Sequence, residues 1–178
     1  MRCTLGVDIG TSSSKGVLVD AGGVIVATAS RAHEVSRPRS GHVEMDGRIW
    51  WDEFVAISRE LIASTPQAEI VAVGVSGMGP CVLLADADDE PVRDAILYGV
   101  DTRSGSQIEW MTDELGEAEI VRVGGSTLTS QAAGPKMVWV QEREPRAWEW
   151  AKRLYMPASW LVRRLTGAGP VDPLVAVS

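Results

Sequence analysis

The stretch Val7-Asp8-Ile9-Gly10-Thr11-Ser12-Ser13-Ser14-Lys15-Gly16 decides how this chain is read. An apolar run (residues 3–7) leads into the Asp8 carboxylate, a turn of small residues follows, and a second apolar run (17–19) leads away. A carboxylate at a strand end can hold a hydrated divalent cation, and small residues leave room for backbone N–H groups and hydroxyls to cradle a phosphate. Gly10 supplies a backbone free to bend tightly, and Lys15 adds a counter-charge. Apolar runs on both sides predict a hairpin with a polar tip, not the strand-to-helix turn of a P-loop, whose GKT or GKS ending is absent. Taken alone, the same residues also suit an ordinary serine-rich hairpin turn.

Outward from this tip, three apolar, β-branched segments (3–8, 15–20 and 24–30) are separated by short turns. Ala21-Gly22-Gly23 suits an antiparallel reversal. A polar stretch, 33–46, contains Pro38 and Gly41. Ile49, Trp50, Phe54, Ile57 and Leu61 then recur at helical spacing and predict an amphipathic helix over 47–64, ended by Pro66. Residues 70–76, 81–85 and 95–100 read as strands, and 104–115, 135–143 and 158–165 as helices. Periodicity by itself supports mixed α/β structure with an antiparallel start. The sequence shows no internal repeat, low-complexity tract or linker.

Composition sets outer limits. A length of 178 residues suits one well-filled domain and not two large ones. A hydrophobic content of 45% with 23% charged residues is that of a soluble globular protein. The formal net charge of -7, without a Lys/Arg run, argues against nucleic-acid binding. Cys3 and Cys81 make neither a disulfide framework nor a metal site, and their apolar surroundings predict buried free thiols. No apolar run reaches membrane-spanning length and no leader pattern opens the chain, so no membrane partner and a cytoplasmic location are expected.

Other tempting residues have plainer readings. His33 and His42 lie in the polar stretch without a partner at ligand spacing and read as surface residues. With both histidines in one loop, base-activated serine hydrolysis has little support. Trp50, Trp51, Trp139, Trp148, Trp150 and Trp160 read as core or domain-interface positions. Glu44 and Asp46 read as charge compensation at a helix start, and Arg163-Arg164 as the reverse at a helix end.

Five landmarks in order make the chain resemble the N-terminal domain of the FGGY-family carbohydrate kinases, in their xylulokinase-like branch. VDIGTSSSKGVLVD resembles the family's first phosphate loop, and GHVEMDGRIWWDEF the segment before its first long helix. GVSGMGPCVLLADADDEPVRDAILYGVDTRS is similar to the sugar-facing strands and loop, with GPKMVWVQEREP and SWLVRRLTG as downstream landmarks. The resemblance implies a ribonuclease-H-like, actin-type ATPase domain: α/β, with a mixed sheet that starts with three antiparallel strands and is flanked by helices. Heat-shock-type and glucokinase-type ATPases of the same superfamily do not suit the GVSGMGP and PKMVWV landmarks.

The resemblance also implies a function, ATP-dependent phosphorylation of a sugar or polyol hydroxyl in the pentulose, xylulose-like class. Asp8 would organise Mg²⁺ and its waters; Gly10, Thr11, Ser12 and Ser13, with Lys15, would hold the γ-phosphate end of ATP. Met78, Gly79, Pro80, Asp101 and Arg103 would face the sugar. Relatives carry a Gln-Met-His-type sequence at the bend, and Pro80 falls at the histidine position, where it has no side-chain donor or acceptor for a sugar hydroxyl. Asp101 and Arg103 fall in Tyr98-Gly99-Val100-Asp101-Thr102-Arg103, which holds one residue more than the usual aromatic-Asp-x-Arg. Without the resemblance, the bend reads as a Gly/Pro turn, and Asp101–Arg103 as a surface pair capping the helix that starts near Ser104. Lys136 stands where the family has a Pro-Lys, with a structural role.

In the family, the general base and the adenosine pocket lie further along, in a second lobe. Residues 134–178 resemble neither, although Asp172 survives from the family's next segment. Residues 1–178 are therefore expected to be a sugar-binding lobe, inactive alone, whose partner is that second lobe; a homodimer is compatible with this reading. The alternative is a non-catalytic actin-like module that pairs with another chain.

Overall fold

Alternation along β1 (Arg2–Ile9) turns Cys3, Leu5, Val7 and Ile9 to one buried face. A computed structural model describes residues 1–168. β2 (Ser13–Asp20) and β3 (Ile25–Ala32) continue from β1 as antiparallel neighbours, with Asp8 opposite Lys15 and Ser13 opposite Ala32. β4 (Glu44–Met45) and helix α1 (Arg48–Ser64) follow, and the chain returns as β5 (Glu69–Gly77), parallel to β1. The four-stranded sheet thus has the order β3-β2-β1-β5, with the antiparallel three-strand start that the sequence predicts.

The face of α1 that carries Trp50, Phe54, Ile57 and Leu61 is buried, in one core with Leu5, Val7, Ile9 and Leu18 of the sheet. Full burial of each large side chain contributes about 1.5–3 kcal/mol. The approach is close at Gly16, where a Cβ would lie 2.2 Å from Ile57 Cγ2.

Beyond β5 come β6 (Leu83–Ala85), β7 (Ala95–Ile96), α2 (Gly105–Leu115), α3 (Glu117–Gly124), α4 (Ala133–Arg143), α5 (Pro145–Trp150), β8 (Arg153–Tyr155) and α6 (Pro157–Thr166). Two short antiparallel pairs, β4–β7 and β6–β8, tie this half together. Val82, Leu84, Ile96, Ala133 and Val140 form a second apolar cluster. α6 packs on β5 and carries Trp160, which meets Trp50 edge-on at 6.1 Å between ring centroids.

Several expectations are corrected. The strand predicted over 95–100 is only β7, because the chain turns at Gly99 with φ 48°. The polar stretch contains β4, and α3, α5 and β8 carried no prediction. Trp50 and Trp160 are core residues, but Trp150 is 68% exposed among the described residues. Cys3 and Cys81 are buried free thiols. Among the described residues, no helix is long and apolar enough to cross a membrane. Asp172 lies outside the described residues.

Candidate functional site

Parallel pairing sets Ser76 of β5 beside Asp8 at the end of β1, and the antiparallel ladder sets Lys15 on its other side. Residues paired across strands share a face, so Lys15, Asp8 and Ser76 form a row on the exposed side of the sheet. Ser76 Oγ donates to Asp8 Oδ1 at 2.6 Å, and the other carboxylate oxygen has no hydrogen bond among the described residues. Magnesium keeps most of its waters and takes one or two carboxylates together with substrate phosphate, so a single exposed carboxylate with a free oxygen fits that ion. No group of three potential metal-ligating side chains exists among the described residues.

The turn between β1 and β2 is held from within and from behind. Gly10 N–H donates to Ser13 O at 3.0 Å, and a Cβ on residue 10 would lie 2.8 Å from that same oxygen, which explains the glycine. Gly10 therefore shapes the turn and spends its own N–H inside it. Thr11 and Ser12 N–H donate to nothing among the described residues. Ser14 points inward, its hydroxyl fully buried and unpartnered among the described residues.

Thr11 joins this turn to the next part of the site, its Oγ1 lying 3.7 Å from Met78 Sδ and 3.4 Å from Tyr98 OH. Met78 follows β5 and is anchored by its N–H to Ile9 O at 2.8 Å. The bend continues through Gly79 and a cis peptide to Pro80. Met78, Gly79 and Pro80 line a cavity of about 540 Å³ together with Ile120, Thr127, Leu128 and Gln131. The mix of apolar walls with a few hydroxyl and amide groups suits a small ligand bearing C–H and O–H faces.

Asp101 and Arg103 do not line this cavity. Both side chains are fully buried, so the surface-pair reading is corrected as well. Asp101 accepts Val43 N–H at 2.6 Å and Arg103 Nη2 at 2.8 Å. Arg103 also donates to Glu44 at 2.7 Å and lies 4.8 Å over the Trp139 ring. Burial pushes the Glu44 carboxyl up, but Arg103 and Arg93 outweigh it and hold the group below its ordinary value. The pair locks the chain just before α1, at Val43 and Glu44, to the start of α2. That helix start carries no side-chain cap from Ser104.

Lys136 has the structural role expected of it. It is fully buried and donates to Ser130 O, while Ser130 Oγ donates to Gly99 O at 2.9 Å, bracing the loop that carries Tyr98. Burial pulls its pKa down to about 8.

The histidines are not surface residues. His42 is half-buried, edge-on to Trp139 at 5.3 Å, and burial and then Arg103 lower its pKa. The His33 side chain is only 5% exposed. Its Nε2 lies 3.0 Å from Gly10 O, its Nδ1 lies 2.9 Å from Glu53 Oε2, and its backbone N–H donates to Ser12 O at 3.1 Å. No local pattern signals this contact, because Glu53 is 20 residues away along the chain.

A sheet of this topology, with a carboxylate and a small-residue turn at its central hairpin, defines a domain of the ribonuclease-H-like, actin-type ATPase class. Residues 3–176 match the FGGY family of carbohydrate kinases, N-terminal domain, and the chain belongs to that family. Over 171 residues it is 37% identical to a xylulose kinase of Streptomyces coelicolor, covering 94% of this chain and 34% of that protein. A xylulose kinase of Lactococcus lactis is 30% identical over 172 residues, covering 94% of this chain and 33% of that protein. The crystal structure of xylulose kinase from Rhodospirillum rubrum superposes with a TM-score of 0.94 at 29% identity, covering 99% of this chain and 37% of that one. The chain spans about a third of the length of the curated relatives it matches.

Proposed function

We propose that these residues form the sugar-binding lobe of a cytoplasmic, ATP-dependent kinase that phosphorylates a hydroxyl of a sugar or polyol, in the pentulose, xylulose-like class. One observation carries the reading: Thr11 of the phosphate turn touches Met78 of the cavity wall, which brings phosphate-binding and alcohol-binding surfaces into contact. Phosphoryl transfer asks mainly for positioning and for neutralisation of charge on the transferred group. Magnesium, when bound, supplies part of that neutralisation. Asp8 would orient its waters, Thr11 and Ser12 N–H would face the terminal phosphate oxygens, and Lys15 would add positive charge. The bend at Met78, Gly79 and Pro80 would seat the alcohol.

A second lobe would contribute the base that accepts the hydroxyl proton and the adenosine pocket. Binding of sugar by this lobe alone would be weak, since half of the water-excluding cleft is elsewhere. The test is ADP release by the complete kinase against a panel of pentuloses, hexuloses and polyols, with this chain alone run beside it. Sugar-dependent release by the complete protein and none by this chain is the expected result. Release with no member of the panel would overturn the kinase reading. Turnover by this chain alone at an ordinary kinase rate would overturn the two-lobe reading.

A further inference from the structure

We propose that His33, held by Glu53, is the residue that orients the phosphate turn for an incoming phosphoryl group; the inference rests on the kinase reading above. His33 follows β3, directly behind the turn, and makes two contacts with it. Gly10 O can only accept, so Nε2 carries the proton of the 3.0 Å contact. The His33 backbone N–H occupies Ser12 O at 3.1 Å. One residue thus fixes the carbonyls of two alternate peptide units in a turn whose own backbone supplies, among the described residues, the Gly10 N–H to Ser13 O bond.

Peptide planarity turns those two contacts into a statement about the other side of the turn. Both peptide bonds are trans, the only cis bond among the described residues being Gly79–Pro80. In a trans peptide the C=O and the following N–H point in opposite directions. Gly10 C=O is drawn toward the imidazole, so Thr11 N–H points away from it. Ser12 C=O is drawn toward the His33 backbone, so Ser13 N–H also points away. Thr11 N–H has no acceptor among the described residues. Backbone N–H groups turned together to one side of a turn make an anion-binding concavity.

Glu53 gives the arrangement its stiffness. It lies in α1, whose other face is packed into the core at Phe54 and Ile57. The 2.9 Å contact between Nδ1 and Glu53 Oε2 needs one proton shared between the two groups, and it fixes the ring plane. Side-chain exposures of 5% for His33 and 15% for Glu53 keep water from competing for either contact. The geometry is a relay from a rigid helix, through a carboxylate and an imidazole, to the carbonyl side of the turn. His33 touches neither phosphate nor alcohol and acts through the turn's own N–H groups, as a positioning residue.

The test separates this role from a general contribution to folding. Kinetics on the complete kinase should show His33→Ala raising the KM for ATP about tenfold, the scale of loss typical when a supporting partner is removed, with the sugar KM changed less than about twofold. His33→Gln, whose amide can still donate to Gly10 O, should recover most of the loss. Glu53→Ala should add little in the His33→Ala background. Equal rises in both KM values, or an unchanged ATP KM in a folded variant, would overturn the proposal. Glu53→Gln, expected to raise the ATP KM by a smaller factor, carries the same comparison should His33→Ala fail to fold.

A readout that does not need turnover keeps the two readings apart. Titration of isotope-labelled protein with MgATP should shift the Thr11 and Ser13 amide resonances in the wild type and much less in His33→Ala. That result stands for the clamp even if no sugar is phosphorylated. Shifts equal in both proteins, or absent from both, would refute it.

Discussion

Asp101 and Arg103 close on each other inside the domain, Arg103 Nε lying 3.0 Å from both oxygens of Asp101 and Nη2 2.8 Å from Oδ2. With both side chains fully buried, removing Asp101 leaves the Arg103 guanidinium out of water with only Glu44 as a carboxylate partner, a group already shared with Arg93. Asp101→Ala should therefore cost about 3–5 kcal/mol in urea denaturation, the range for breaking a buried pair. It also orphans Val43 N–H, which donates to the carboxylate. Arg122→Ala, which breaks a surface pair with Glu119, should leave the transition midpoint unchanged. A small loss for Asp101→Ala would mean that water reaches the pair.

Two glycines give opposite expectations for the same substitution. At Gly16 an added Cβ meets Ile57 Cγ2 at 2.2 Å and Leu61 Cδ1 at 3.1 Å, so α1 must lift from the sheet. Overpacking of this kind costs about 1–3 kcal/mol. At Gly74 nothing lies within 4 Å of the added carbon and the residue is exposed. Gly74→Ala should be neutral or stabilising by up to about 1 kcal/mol, since glycine loses more entropy on entering a strand. Urea midpoints of the two variants against wild type check the pair. A Gly16→Ala protein as stable as wild type would show that the helix is not seated as closely as described.

What the sequence announced and what it concealed divide along a physical line. β1, β2 and α1 were legible because burial of one face imposes a period of two or of 3.6, and Leu5, Val7, Phe54 and Ile57 carry those periods openly. The turn between β1 and β2 was legible because Asp8 and Gly10 are local to it. β4 and β8, of two and three residues, exist only because a distant strand pairs with them. α5, with six residues, is too short for a period to mark a face, and Trp150 lies exposed at its end. Charged groups were misplaced for the same reason. Asp101 and His33 look like surface residues along the chain, and only Arg103, Glu44 and Glu53, delivered by the fold, make their burial tolerable.

Lys136 predicts a pH dependence whose sign can be worked out. A lysine in the unfolded chain titrates near ~10.4. In the folded protein burial lowers Lys136 to about 8. Below both values the two states carry the same proton, so this group adds no slope. Between them the unfolded chain holds a proton that the folded chain has released, so stability rises with pH. Cys81 runs the other way, its thiol pushed up to about 11 by burial, so the wild-type curve alone would blend the two. The difference between wild type and Lys136→Met cancels most of the thiol's own contribution and leaves chiefly the lysine's. Wild-type stability relative to the variant should climb from pH 8 toward pH 10, at no more than ~1.4 kcal/mol per pH unit. A flat difference would mean that Lys136 keeps its ordinary pKa in the fold.

Asp8 is the residue for which function and stability should separate most cleanly. It is exposed, so Asp8→Asn removes little that the fold depends on, and the melting temperature should stay within a degree or two. The complete kinase should nevertheless lose about a hundredfold or more in kcat/KM, because metal-assisted neutralisation of the transferred phosphoryl group is worth several kcal/mol. Ser76→Ala is the finer probe. It takes away the 2.6 Å donor to Asp8 Oδ1 and leaves the charge, so the carboxylate is free to rotate. About a tenfold loss is expected there, partly recovered by raising the magnesium concentration, as befits a group that orients a ligand without binding the ion itself. Steady-state rates across a magnesium series give both results. If Asp8→Asn keeps wild-type activity at every magnesium concentration, the ion is held by residues outside this turn, and Asp8 loses its assigned role while the turn keeps its own.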